Sequence, residues 1–394
     1  MGYAEPMALE LTPLDVSQLS EGLKKVLGPG APPAIKLMAA RGLAPLGPHD
    51  LATALYQLAL DPDPAIAQTA EKTATALPDK VLRAALGEAL DPRVLHFFAR
   101  LLKARPEYIE LLLTNRNTSD ETFAYLATQC KERELEMIAA AEERCLRHPA
   151  IVEALYFNEH ARQSTVDRLI ELCVRNGVMI EGIPAFKEAA VAIASGAEGP
   201  SLAEQEAEDD LFREAMEAGR DEVVGTDAST ADEAVAALVG EEDANTQPKK
   251  QEPEKEDVRR LTLEKIRQLK VSTKIRLATV GTAFHRAVLI RDSNKQVALA
   301  AIKAPGISDT EVVRYSANRA LNEDVIRYIA NHREFVKNYQ VKVNLVNNPK
   351  CPLATALRLL SYLRERDLKA VARSKSVSAT LATTAKKMME QKAK

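Results

Sequence analysis

Between Pro106 and Leu113 the chain places Tyr108, Ile109, Leu111, Leu112 and Leu113 close to helical period, with Glu107 and Glu110 among them. Pro106 suits the first turn of a helix, where a missing N–H costs nothing. Asn115 follows the last apolar position, and asparagine tolerates the backbone that ends a helix. Ser119 or Asp120 then caps a second run whose inner face holds Phe123 and Leu126. The pattern predicts helix, tight turn, helix. It recurs 43 residues later, with identity at Pro106/Pro149, Glu110/Glu153, Leu112/Leu155, Asn115/Asn158, Thr122/Thr165, Leu126/Leu169 and Cys130/Cys173. A period in the forties is that of solenoids built from two or three helices per repeat.

The same plan extends in both directions. Upstream, Asp61, Asp63, Pro64, Ile66, Ala70 and Leu77 form an Asp-x-Asp-Pro opening followed by a small-residue helix, and Asp91-Pro92 restarts it. Downstream, Asn318 to Ala330 aligns with Asn115 to Ala127, and Asn347 to Leu363 again reads as a break, a cap and a helix. On these residues the chain resembles HEAT-like and variant leucine-rich α-solenoid proteins, in architecture and not in any one activity. The expected fold class is all-α: a HEAT-like solenoid of helical hairpins in two blocks. Leu112, Leu126, Leu155, Leu169, Ile326 and Leu357 are expected in its core.

Charge divides the chain. Residues 1–197 carry 20 basic and 26 acidic side chains, net −6; residues 198–257 carry 5 and 20, net −15; residues 258–394 carry 28 and 10, net +18. The middle segment is poor in large apolar residues and cannot bury enough surface to offset chain entropy. It reads as a disordered acidic linker over 197–257, with short helical stretches from Leu202 to Ala218 and from Thr230 to Val239. The flanking blocks, 1–196 and 258–394, read as an N-terminal and a basic C-terminal set of helical repeats. No apolar run is long enough to span a bilayer and no signal peptide is visible. Four widely spaced cysteines read as buried thiols, which points to the cytoplasm.

No phosphate-binding loop, zinc-protease or nucleophile-elbow motif occurs, so no catalytic, cofactor or metal residue is assigned. The repeat-equivalent Glu110 and Glu153 read as surface positions one unit apart, and His148 and His160 as solvated turn residues. Asn115, Asn158, Asn318 and Asn347 read as turn and cap residues rather than an amide ladder lining a peptide groove. The remaining candidate chemistry is cationic. Arg314, Arg319, Arg327, Arg333, Lys337 and Lys342 form one cluster, and Arg364, Arg366, Lys369 and Arg373 another. Tyr315, Tyr328, Tyr339 and Tyr362 lie among them as possible stacking platforms. The first expectation is a non-catalytic scaffold that binds protein partners on its solenoid faces. The alternative is a solenoid that binds nucleic acid through the basic block, with the acidic linker as competitor.

Overall fold

The structure is a computed structural model and describes residues 9–28, 30–184, 186, 190, 191, 201–221, 253–374 and 376–392. Among them there are helices and turns and no strand. They fall into two compact units, one ending at Ile183 and the other beginning at Pro184.

The first unit is a run of twelve short helices: α1 (Glu21–Leu27), α2 (Pro33–Ala40), α3 (Pro48–Ala59), α4 (Pro64–Thr75), α5 (Asp79–Gly87), α6 (Pro92–Leu101), α7 (Pro106–Thr114), α8 (Asp120–Gln129), α9 (Glu132–Ala140), α10 (Glu142–Arg147), α11 (Ala150–Phe157) and α12 (Gln163–Arg175). Proline opens α3, α4, α6 and α7. Asp63 and Asp91 cap α4 and α6 by accepting from the amides of Ala65 and Arg93, each at 2.9 Å. Helices pack on the helix after next, α3 on α5, α5 on α7, α7 on α9, and α4 on α6, α6 on α8, and several also on a neighbour in sequence, such as α3 on α4 and α11 on α12. This is the quasi-one-dimensional stacking of a helical repeat protein. Leu112, Leu126, Leu155 and Leu169 are fully buried in it.

The second unit contains α13 (Leu202–Asp221), α14 (Pro253–Gln268), α15 (Val271–Val280), α16 (Ala283–Leu289), α17 (Lys295–Lys303), α18 (Asp309–Ala317), α19 (Glu323–Asn331), α20 (Tyr339–Asn347), α21 (Leu353–Leu360), α22 (Glu365–Arg373) and α23 (Ala379–Lys392). The stacking rule is the same: α15 on α17, α17 on α19, and α18 on α20, α20 on α22. Ile326 is buried as expected. Leu357 is only half-buried; Leu359 and Leu360 take the core positions of α21. The sequence alignment is therefore out of phase with the helical face at that point.

The acidic segment, read as a linker over 197–257, differs from that reading in two respects: α14 already begins at Pro253, and a second helix precedes it. Residues 202–221 form the twenty-residue helix α13, packed on α14 and α15 with Phe212, Ala215 and Met216 buried. Local composition favours a solvated chain, but tertiary contact with the basic block captures this stretch. Residues 222–252, including the stretch from Thr230 to Val239, lie outside the described residues.

A recurring asparagine joins successive hairpins. Asn115 is the C-cap of α7, and its side-chain amide donates to the carbonyls of Leu86 (2.6 Å) and Glu88 (2.8 Å) at the end of α5. Asn158, the C-cap of α11, donates to Ala127 (2.8 Å) and Cys130 (3.1 Å) at the end of α8. Asn348, the C-cap of α20, donates to Ser316 and Asn318, both at 3.0 Å, at the end of α18. In each case the amide oxygen accepts from the main-chain N–H two residues on: Asn117, His160 or Lys350. Asn318 caps α18 and accepts from Ala320 in the same way at 2.7 Å. The last carbonyls of a helix have no intrahelical partner, so these amides satisfy them from the next repeat. The sequence assigns the fourth position to Asn347. Asn347 is instead the last residue of α20, and Asn348 fills the role.

Candidate functional site

The ten cations singled out in the sequence do not form one surface. Arg333, Lys337 and Lys342 line an open groove of about 720 Å³ where the end of α19 and the 332–338 connection meet α20 and α21. Arg358 on α21 and Tyr362 beyond it complete the lining, with Ala330, Val336 and Leu359 supplying apolar surface. Glu334 is the one carboxylate there, paired with Lys337 at 2.7 Å. Both partners of that pair are well exposed, so it is easily exchanged for another anion. The Lys342 ammonium stands 5.5 Å from the ring centre of Tyr362, which is 64 % exposed. An exposed tyrosine face beside an ammonium offers apolar contact and positive charge together.

An aromatic cluster adjoins the groove through His332, which lines it. His332 stacks on Phe335, ring centres 4.1 Å apart, and Tyr328 lies 5.5 Å from His332. Lys303, from α17, stands 5.3 Å from the Tyr328 ring centre. Burial pushes the Tyr328 hydroxyl above its ordinary pKa, keeping it a neutral donor. His332 Nδ1 is buried with no partner.

Arg366, Lys369 and Arg373 project from α22 along a second, shallower depression of about 520 Å³ that also holds Glu365. Lys369 pairs with that glutamate at 2.7 Å. The remaining cations do other work. Arg364 precedes α22 and lies over Tyr339, 4.6 Å from its ring centre. Arg327 pairs with Glu323 and Asp324 on its own helix. Arg319 donates to Ser376 at 3.1 Å, and Arg314 is half-buried on α18. Tyr315 is wholly buried and offers no stacking platform.

Comparison with protein-family models, with curated proteins and with solved structures finds no match to this chain. Its chemistry has to be read from its own side chains.

Sequence reasoning missed Arg358, which lies outside both clusters, because the groove is closed by packing of α21 on α20. Glu110 pairs with Arg133 at 2.7 Å, whereas burial raises the pKa of Glu153. The two repeat-equivalent acids thus sit in unlike surroundings and form no pair. Neither His148 nor His160 belongs to a metal-binding cluster; among the described residues no group of three histidine, cysteine or acidic side chains is arranged to hold a metal. No described helix is long and apolar enough to cross a membrane.

Proposed function

We propose that this protein is a non-catalytic interaction scaffold of the HEAT-like α-solenoid kind, and that its C-terminal block holds an acidic peptide of a protein partner. The groove carries this reading. Four cations, Arg333, Lys337, Lys342 and Arg358, line it together with one carboxylate, apolar side chains and an exposed tyrosine. Carboxylates of a peptide would meet the cations while its apolar side chains meet Val336, Leu359 and Tyr362. The repeat stack supports the scaffold role, since it buries a one-dimensional core and leaves long faces for partners. Four free, buried cysteines favour the cytoplasm as its compartment.

Nucleic acid is the second reading. The α22 cations and the Arg364–Tyr339 stack extend positive charge beyond the groove, as a phosphate track would require. One titration separates the two. The full chain and a Lys342→Glu/Arg358→Glu variant are titrated with a labelled peptide alternating glutamate and leucine, and with labelled single-stranded DNA and RNA. Peptide binding that the variant loses by tenfold or more, with weak oligonucleotide binding, supports the peptide reading. Tight oligonucleotide binding with a steep salt slope, insensitive to the groove variant but lost on Arg366→Glu/Arg373→Glu, would replace it with the second.

A further inference from the structure

Helix α13 sits on the C-terminal block unlike any other helix in it. The helices from α14 onward are joined by two to seven residues, whereas 31 residues separate Asp221, the end of α13, from Pro253, the start of α14. A short turn forces neighbours together; so long a connection does not, and docking must rest on the interface itself. That interface is thin in apolar contact. Of its twenty residues, ten of them charged, α13 buries only Phe212, Ala215 and Met216 among its hydrophobic side chains.

What lies beneath is mixed: Leu263 and Ile266 of α14 and Leu269 just after it are buried, and polar groups stand beside them. Arg276, fully buried, stands with its guanidinium carbon 4.6 Å from the Phe212 ring centre. His285, also fully buried, has Nε2 2.8 Å from the carbonyl of Ala215. Its Nδ1 accepts from the Thr282 amide at 2.9 Å, so the proton sits on Nε2 and is donated to α13. Thr282 donates to the Gly219 carbonyl at 3.2 Å, and Glu208 accepts from the Lys270 amide at 3.1 Å. Lys265 on α14 pairs with Glu214 at 2.8 Å. Gly219 is what admits the histidine: a Cβ there would fall 2.0 Å from its ring. If α13 left, the arginine, histidine, threonine and main-chain amide would gain water while Leu263, Ile266 and Leu269 would lose cover, so the vacated face would keep both polar partners and an apolar seam for another helix.

We infer that this face of α14 and α15, with Thr282 and His285 at the start of α16, is a binding site for an acidic amphipathic helix, filled in cis by α13 and open to a partner helix of the same chemistry. The recognition pattern is the seam Phe212, Ala215, Met216 and Gly219, at the i, i+3, i+4 and i+7 spacing of a helix laid into a groove. Acids outside the seam complement the basic block. The site is distinct from the α19–α21 groove and does not depend on the reading given to it.

The test uses the full chain and a labelled peptide of residues 201–221. A cis helix at millimolar effective concentration suppresses binding in trans. A Gly219→Val chain, whose own helix clashes with His285, should therefore bind the native peptide at least tenfold more tightly than the native chain does. The same peptide carrying Gly219→Val should bind neither. Hydrogen exchange should show residues 202–221 released in the variant chain and the rest of the block protected. If the variant does not fold, Phe212→Ala in the full chain serves the same purpose. Equal affinity of native and variant chains for the native peptide would overturn the inference. So would released α13 residues with no peptide binding.

Discussion

The side-chain amide of Asn348 donates to the main-chain carbonyl of Asn318, 3.0 Å away, and each of the two is itself the C-cap of a helix. One repeat's cap thus satisfies the preceding repeat's cap, and the end of α18 is closed from outside its own helix. Asn158 does the same for α8 in the first unit. Both asparagines are buried, so removing the amide strands carbonyls that water cannot reach. Asn348→Ala or Asn158→Ala should cost about 1–3 kcal/mol in chemical denaturation. Asn347→Ala, one position away, should lose no such inter-repeat bond and change stability less.

Arg286 and Glu311 form a buried fork. Arg286 Nε and Nη2 donate to the two carboxylate oxygens at 2.8 and 3.0 Å, and Nη1 donates to the Gly281 carbonyl at 2.9 Å. Glu311 also accepts from the Ser308 amide and hydroxyl, both at 2.9 Å, closing the capping box of α18. Glu311→Ala should destabilise the chain by about 3–5 kcal/mol, since it leaves an uncompensated buried guanidinium. Arg286→Met with Glu311→Leu should cost clearly less than the two single changes added together. Urea unfolding of the four chains gives the cycle.

Stability should fall on mild acidification. Burial first of all, with Arg286 and Arg220 adding to it and the bond to Ala215 opposing, pulls the His285 pKa down from about 6.5 to about 4. Burial likewise takes His96 to about 4. Both are therefore neutral when folded, and the unfolded chain binds protons first. Their contribution is complete above about pH 6.5 and is lost progressively as pH falls toward 4. Each is worth on the order of 3 kcal/mol across that window. Denaturation midpoints measured from pH 7.5 to 4.5 should decline, and His285→Gln should flatten the decline.

The four thiols should be silent in the native protein. Burial pushes Cys130 and Cys145 up to about 12, and Cys173 and Cys351 up to about 11. Only thiolate reacts with a disulfide reagent. At pH 8 the folded chain should release no chromophore from such a reagent, and all four should react in guanidinium chloride. A thiol reacting in the native state would locate a region that opens.

Legibility in the sequence follows the range of the interaction. Pro48, Pro64, Pro92 and Pro106 open their helices because a proline's fixed backbone acts on its own turn. Asn115, Asn158 and Asn318 were readable as caps because helix ends are local events. That the amides of Asn115, Asn158 and Asn348 reach into the preceding repeat was not, because the accepting carbonyls lie about thirty residues away. The shift from Asn347 to Asn348, and the burial of Ala356, Leu359 and Leu360 in place of Leu357, mark where a small phase error outruns a degenerate repeat.

By itself the sequence determined an all-helical chain, its hairpin plan, most of its core leucines and the split of its charge. Period, caps and composition act within a turn or two, so they survive reading in one dimension. Tertiary structure alone decided which cations meet. Stacking of α19, α20 and α21 brings Arg333, Lys337, Lys342 and Arg358 to one groove and leaves Arg327 paired on its own helix. It also decided the state of α13, an acidic stretch too polar to hold itself together, which becomes a docked helix because Phe212, Arg276, Ala215 and His285 come together only when the block beneath it has folded.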